Sequence, residues 1–256
     1  MTTATGNDWT LHHGDCLEVM PTLPAGSVDL IASDLPYGQT QCAWDSVIPF
    51  VPLWECFKHV LKPGGAIVLT ASQPFTSALV MSNPKWFKYE WIWEKSTPTS
   101  FLVANYQPLR SHETISVFSD ANACWAGRDN LMPYYPQGLS TWGRINRRGT
   151  AGSNYSHAHT ENTQEFTGYP RSVLRFPNDA TKYHPTQKPV ALFAYLIRTY
   201  SNPGETVLDC TAGSATTGVA ALQERRKFIG IEKDAEYFRV ASERLKTAAA
   251  QEVMAI

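Results

Sequence analysis

The 256-residue chain has no Cys-x-x-Cys pair, and its five cysteines (positions 16, 42, 56, 124 and 210) are odd in number. That spacing argues against a disulfide framework and against a cysteine-based zinc site, and makes a reducing cytoplasm the expected compartment. No apolar run is long enough to span a bilayer, so no membrane partner is expected. Met1 to Trp9 lack the basic-then-apolar layout of a secretory signal. Charge of either sign is not in excess: 22 Lys and Arg against 23 Asp and Glu leave −1. Nucleic-acid enzymes are often basic, but a local positive patch serves equally well, so the balance excludes nothing. No coiled-coil pattern forces an oligomer. What is present is 43% hydrophobic and 18% charged residues, which suits one large globular domain or one domain carrying an insertion.

The apolar run Val28-Asp29-Leu30-Ile31-Ala32-Ser33 predicts a buried strand, and Asp34-Leu35-Pro36-Tyr37 follows it directly. A carboxylate, a proline-stiffened turn and an aromatic ring therefore stand at the carboxyl end of a strand, where open α/β sheets bind ligands. One side-chain acceptor and one backbone carbonyl could hold a planar exocyclic amine there, with its ring stacked on Tyr37. The bland alternative is an ordinary turn capped by Asp34.

The C-terminal part reads as strand, small-residue turn, helix, strand, helix. Pro203-Gly204 breaks the chain before the strand Glu205 to Asp209, and Thr211-Ala212-Gly213-Ser214-Ala215-Thr216-Thr217-Gly218 lets a backbone pass close to a ligand before opening a helix. Phe228 to Ile231 forms the next strand and ends on Glu232, and a helical pattern runs from Asp234 to Lys246. An acid about 20 residues past the first strand commonly bonds ribose hydroxyls, and Glu232 meets that spacing. A dinucleotide is the rival cofactor, but it wants Gly-x-Gly-x-x-Gly and this loop has Ala215 between Gly213 and Gly218. A small-residue turn that merely packs helix on strand is the other alternative.

Leu208-Asp209-Cys210-Thr211-Ala212-Gly213-Ser214-Ala215-Thr216-Thr217-Gly218 resembles the S-adenosylmethionine loop of amino-methylating DNA methyltransferases, and Asp34-Leu35-Pro36-Tyr37 resembles their Asp-Pro-Pro-Tyr signature. His184-Pro185-Thr186-Gln187-Lys188-Pro189 resembles the family's His-Pro-x-Gln-Lys-Pro element, which leads into a helix, Val190 to Tyr200. Two prolines and a histidine in six residues have no generic structural explanation, which makes this hexapeptide the most specific motif of the chain. The catalytic motif precedes the cofactor loop, a circularly permuted order similar to the β class of that family. Further matching blocks are His13 to Glu18, Leu61 to Leu69, Trp91 to Lys95 and Arg110 to Phe118, the last two a late pair of strands.

The resemblance implies an α/β fold: a doubly wound, mostly parallel seven-stranded Rossmann-like sheet formed by 1–118 and 181–256, with a target-recognition insertion at 119–180. It implies transfer of a methyl group from S-adenosylmethionine to the N6 of adenine in double-stranded DNA, after the base leaves the helix. In that reading Asp34 and the Leu35 carbonyl take the amine hydrogens, Pro36 fixes the turn and Tyr37 stacks on the base. No metal is needed. The implied cofactor residues are Asp15, His184, Thr186, Lys188, Asp209, Thr211, Gly213, Ser214, Ala215, Thr216, Thr217 and Glu232. Asp15 has a surface turn as its alternative, and Lys188 either steers the cofactor carboxylate or bonds helix ends. Leu35 and Ala215 depart from the family pattern, and Ala215 could crowd the cofactor if the family's glycine at that place has positive φ.

The stretch from Asp120 to Pro177 is rich in Gly, Asn, Tyr and Arg and poor in periodicity. Arg144, Arg147 and Arg148 cluster within it beside Arg128, Arg171 and Arg175, interleaved with Trp142, Tyr155 and Tyr169. That mixture suits phosphate contacts and base stacking, against the alternative of a solvated loop. His157 and His159 lack partners for a metal role. Aspartate at position 34 favours adenine, since the similar N4-cytosine enzymes usually begin the motif with serine. N4-cytosine methylation is the enzymatic alternative, and a catalytically weak DNA-binding regulatory partner is the alternative from another class. Family members often dimerise, so a second copy of the chain joins DNA and the cofactor as an expected partner to test.

Overall fold

A computed structural model describes residues 2–39, 45–124, 129–147, 161–181, 183–184 and 186–254. The chain divides into two compact units, Met1–Tyr135 with Ser172–Ile256, and Pro136–Arg171. The larger unit holds strands β1 (Thr2–Thr5), β2 (Trp9–His13), β3 (Val28–Asp34), β4 (Leu61–Ala71), β5 (Phe87–Thr99) and β6 (Arg110–Phe118). The smaller unit is a hairpin, β7 (Ser140–Arg147) antiparallel to β8 (Glu161–Thr167). The chain then returns to the larger unit as β9 (Val173–Phe176), β10 (Thr206–Asp209) and β11 (Lys227–Glu232). Its helices are α1 (Cys16–Val19), α2 (Phe50–Val60), α3 (Phe75–Ser82), α4 (Val190–Tyr200), α5 (Thr216–Gln223) and α6 (Ala235–Met254).

Nine strands form one sheet in the order β1-β2-β11-β10-β3-β4-β6-β5-β9. The block from β2 to β4 is parallel, β6 runs antiparallel to both β4 and β5, and β9 runs parallel to β5. The expected seven strands are thus joined by one more at each edge, β1 and β9. The late pair of strands foreseen in the sequence is β5 and β6. β9 corrects the expected extent of the insertion: Val173–Phe176 belongs to the main sheet, and the separate unit is narrower than 119–180.

Alternating side chains of the central strands feed two cores. Leu30, Ala32 and Val207 face a cluster with Leu192, Phe193 and Leu196 of α4 and Leu245 of α6. Ile31 and Leu208 face the other, with Leu53, Phe57 and Val60 of α2 and Leu79 of α3. Burial on both faces is why these strands read as continuous apolar runs. The tight fit shows at Gly218, where an added Cβ would lie 2.6 Å from the Phe228 ring. β3 leads on to β4 on one side, whereas β10 leads on to β11 on the other. The two halves therefore diverge at the β3–β10 boundary, the switch point at which such sheets open a crevice.

Candidate active site at the carboxyl edge of the sheet

Asp34, Asp209 and Glu232 end β3, β10 and β11, three neighbouring parallel strands, and all three line one cavity of about 900 Å³. Leu35, Pro36 and Tyr37 line it too. Asp34 is cross-braced. Its Oδ1 accepts the Tyr37 hydroxyl at 2.6 Å and also the Thr70 hydroxyl from β4, while its Oδ2 accepts the Lys188 ammonium at 2.7 Å. Its backbone carbonyl accepts the Thr211 hydroxyl at 3.0 Å, which ties the motif to the loop after β10. Asp45 holds the far side of the turn by accepting the Gly38 and Gln39 amides at 2.8 and 2.9 Å.

Tyr37, expected to stack on a base, lines the cavity and is itself held in place by its neighbours. Its ring packs against Phe75, centroids 5.2 Å apart, and the Lys188 ammonium lies 5.4 Å from its centre. Its hydroxyl turns inward to Asp34 and Thr70. Burial first, and then the charges of Asp34 and Glu113, push this phenol well above its usual pKa, so it remains a donor. Leu35 is buried against Ile31, Leu53 and their neighbours, so the leucine in place of the family's first proline fills apolar space.

The other end of the cavity is built from the loop 211–215. Gly213 has φ +52°, and its amide donates to Glu232 Oε2 at 2.6 Å. The Asp234 amide donates to Glu232 Oε1 at 2.7 Å. Burial raises Glu232 to about 7 against these two bonds, with the Asp209 and Asp234 charges adding to the rise. Burial likewise raises Asp209 to about 6, although the Thr217, Thr211 and Ser33 donors pull the other way. Asp15 caps α1 through the Leu17 amide at 2.9 Å and meets Lys233 at 3.0 Å. Partial burial opposes ionisation of Asp15, but these donors hold it below its ordinary value.

Of the twelve residues expected at the cofactor, eleven line the cavity: Asp15, His184, Thr186, Lys188, Asp209, Thr211, Gly213, Ser214, Thr216, Thr217 and Glu232. Ala215 is the correction. Its φ is +60°, but the residue is fully buried in the core with Phe228 and Leu245, so its methyl does not crowd the cavity. Lys188 bonds carboxylates rather than helix ends. Arg144 and Arg147 lie on β7 of the smaller unit, and Arg144 is exposed there, as is Trp142. Arg148, Arg128, Tyr155, His157, His159 and Cys42 lie outside the described residues.

A family model for DNA methylases of the N6/N4 type matches residues 28–243. The chain is 33% identical over 252 residues to the DNA adenine methyltransferase YhdJ of Escherichia coli K12, covering 93% of this chain and 83% of that protein. The chain belongs to the N6/N4 family of DNA methylases. It is also 29% identical over 267 residues to the type II methyltransferase M.HinfI of Haemophilus influenzae, covering 93% of this chain and 68% of that protein. Among solved structures, the M1.HpyAVI complex with S-adenosylmethionine superposes with a TM-score of 0.60 at 22% identity, over 93% of this chain and 98% of that one. The cytosine-N4-specific PvuII DNA methyltransferase superposes with 0.66 at 17% identity, over 98% and 94%. At such identities the structural likeness speaks for the methylase fold alone.

Several residues that shape this methylase site escape a reading by motif. Asp179 accepts the first amide of α4, Val190, at 3.3 and 3.2 Å, and receives the Gln187 amide group at 3.0 Å. Gln187 Oε1 in turn accepts the Tyr183 amide at 2.9 Å. Gln187 thus ties the segment before α4 to Asp179 and Tyr183, two residues outside the hexapeptide that gave no sequence signal. Arg244 of α6 donates to the Ser214 carbonyl at 2.5 Å and its hydroxyl at 2.9 Å, and stacks 4.4 Å from the Tyr183 ring centre. Nothing in its helical surroundings singles it out. Thr70, one residue past a matching block, and Glu113 and Lys95, inside two others, carry no signal of their own, because a motif match assigns no partner.

Proposed function

We propose that the protein is a site-specific DNA methyltransferase that uses S-adenosylmethionine to methylate the exocyclic N6 of adenine in duplex DNA. The observation that carries this reading is the shared cavity: an amine-binding carboxylate and turn at the end of β3 meet a nucleoside-type loop and acid at the ends of β10 and β11. The donor set suits the cofactor. Glu232 is a carboxylate with no lysine or arginine paired to it among the described residues, set to receive ribose hydroxyls. Gly213 leaves its loop backbone open: among the described residues only the His184 ring, at 3.9 Å, lies near the place of an added Cβ. When bound, S-adenosylmethionine supplies an electrophilic methyl group on a sulfonium, which the amine displaces in line.

Asp34 accepts one amine hydrogen and thereby directs the nitrogen lone pair, while the Leu35 carbonyl takes the second. Tyr37 contributes chiefly by holding Asp34, through the bond at 2.6 Å. The base must leave the duplex to reach this depth, and most of the rate then comes from positioning. The unit 136–171 is the part of the chain we assign to target recognition, with exposed Arg144 and Trp142 as contact residues. Arg144→Ala is expected to weaken duplex binding several-fold and to reduce its salt dependence by about one counter-ion, as read by fluorescence anisotropy over a salt series. No change in either would remove Arg144 from the interface.

The deciding experiment expresses the protein in a methylation-deficient bacterium, beside an Asp34→Ala control, and maps modified bases in genomic DNA. N6-methyladenine in one short motif, absent from the control, is the expected result. N4-methylcytosine instead would overturn the choice of base, and an unmodified genome would favour the DNA-binding regulatory partner.

A further inference from the structure

Four charged side chains of alternating sign stand in series along the cavity wall. The Lys188 ammonium sits 2.7 Å from Asp34 and 3.2 Å from Glu113, and the Lys95 ammonium sits 2.5 Å from Glu113 on its far side. They come from the end of β3, the segment before α4, and the paired strands β6 and β5. Three of the four are nearly withdrawn from solvent, with side-chain exposures of 6% for Lys188, 13% for Glu113 and 12% for Lys95. Buried charges at this density persist only when each is matched. Burial by itself would lower Lys188, but Asp34 and Glu113 outweigh it and hold the ammonium above its ordinary value. The other groups facing this chain are the Tyr37 phenol, His184 and Asp209.

A carboxylate offers about four acceptor positions, and here two hydroxyls and one ammonium occupy three of them on Asp34. One position is left for an incoming N–H. We propose that Lys188, flanked by Glu113 and Lys95, is a positioning residue for methyl transfer: the built-in counter-ion of Asp34 that keeps it aimed once a base has displaced water from the cavity. Glu113 divides the attraction of Lys188, so that the ammonium steadies Asp34 without closing over its free position. Lys95 supplies the charge that keeps Glu113 available for this. The inference rests on the reading of Asp34 as the acceptor of the target amine.

The test is single-turnover methylation of duplex DNA at saturating cofactor, followed from about pH 5.5 to 9, with cofactor affinity measured separately by calorimetry. Lys188→Met is expected to slow transfer and to move the acid limb of the rate profile upward by about one pH unit or more, because a carboxylate without its cation takes up a proton more readily. Lys188→Arg retains the charge and restores the limb. Glu113→Gln turns the whole Lys188 charge on Asp34, so the limb moves downward while the plateau rate falls several-fold. Opposite shifts from two neighbouring substitutions are not what general loosening of the site produces. Cofactor affinity should stay within roughly threefold throughout.

A limb that stays at its wild-type position in both variants, with Asp34→Asn inactive, overturns the inference and leaves the assignment of Asp34 intact. So does a loss of cofactor affinity beyond about tenfold in Lys188→Met with the plateau rate preserved, which would move Lys188 to the cofactor. Wild-type rates in Asp34→Asn would remove the reading of Asp34 first, and the inference with it. Should Lys188→Met fail to fold, Glu113→Gln decides: a downward shift supports the inference and a stationary limb overturns it.

Discussion

The two ends of the cavity both present carboxylates at the tips of parallel strands, yet they handle charge in opposite ways. At the amine end, Asp34 meets a buried ammonium and two hydroxyl donors. At the other end, Asp209 and Glu232 meet only neutral amides and hydroxyls among the described residues, and burial raises them to about 6 and about 7. Strand position is the same in each case, so the partner decides. The difference teaches that packing, not strand position, sets whether a strand-tip carboxylate meets a cation. A bound cofactor with ribose hydroxyls and positive charge would supply to Glu232 and Asp209 what Lys188 already gives Asp34.

The comparison breaks most decisively at Asp34. Asp34→Asn should lower the methylation rate by roughly a thousandfold or more, while calorimetry finds cofactor binding nearly intact. Equal losses in both would mean that the two ends do not act separately. Glu232→Gln should do the converse, weakening cofactor binding by about one to two orders of magnitude and leaving the rate at saturating cofactor much less affected. A wild-type dissociation constant in that variant would remove Glu232 from the cofactor site.

The pH response sharpens the contrast further. A buried carboxylate raised above its unfolded value binds protons more tightly in the folded chain. Its contribution to stability is complete below the unfolded value, near 4, and is lost as pH rises through about 6 for Asp209 and about 7 for Glu232. The cofactor-free protein should therefore melt lower at pH 8 than at pH 5.5 by an amount on the order of a few kcal/mol of stability from these two groups. Glu232→Gln should shrink that difference. Cofactor affinity should run the other way, rising as pH passes through 7, because ribose hydroxyls donate to the charged form. Calorimetry in buffers of different ionisation enthalpy should register the proton release. The smallest effect belongs to Ala215→Gly. Relief of a left-handed alanine and loss of a buried methyl each amount to about 1 kcal/mol and oppose one another, so melting and cofactor affinity should both change little.

Much of the frame was legible from local pattern. Helix α4 occupies Val190–Tyr200, where the resemblance of the hexapeptide implies a helix, and β3, β10 and β11 fall on the three apolar runs that precede Asp34, Asp209 and Glu232. Such elements are buried on one stripe or both faces, and burial writes itself into sequence. β9 left no such mark, since only Leu174 of its four residues is buried. The cap of α4 was equally hidden, because Asp179 reaches Val190 across eleven positions instead of standing directly before the helix. Ala215 was legible as part of a cofactor-like loop, but its backbone angle sends the methyl into the core, and no residue type encodes that direction.

The sequence by itself determined the carboxylates at the strand tips and the small-residue loop, because each is a local pattern of burial and backbone freedom. Only the tertiary structure decided how those carboxylates differ. Lys188 reaches Asp34 across 154 positions, and Glu113 and Lys95 reach Lys188 from two further strands. The effect of a buried charge depends on what lies within a few ångströms of it, and that is set by packing rather than by chain neighbours.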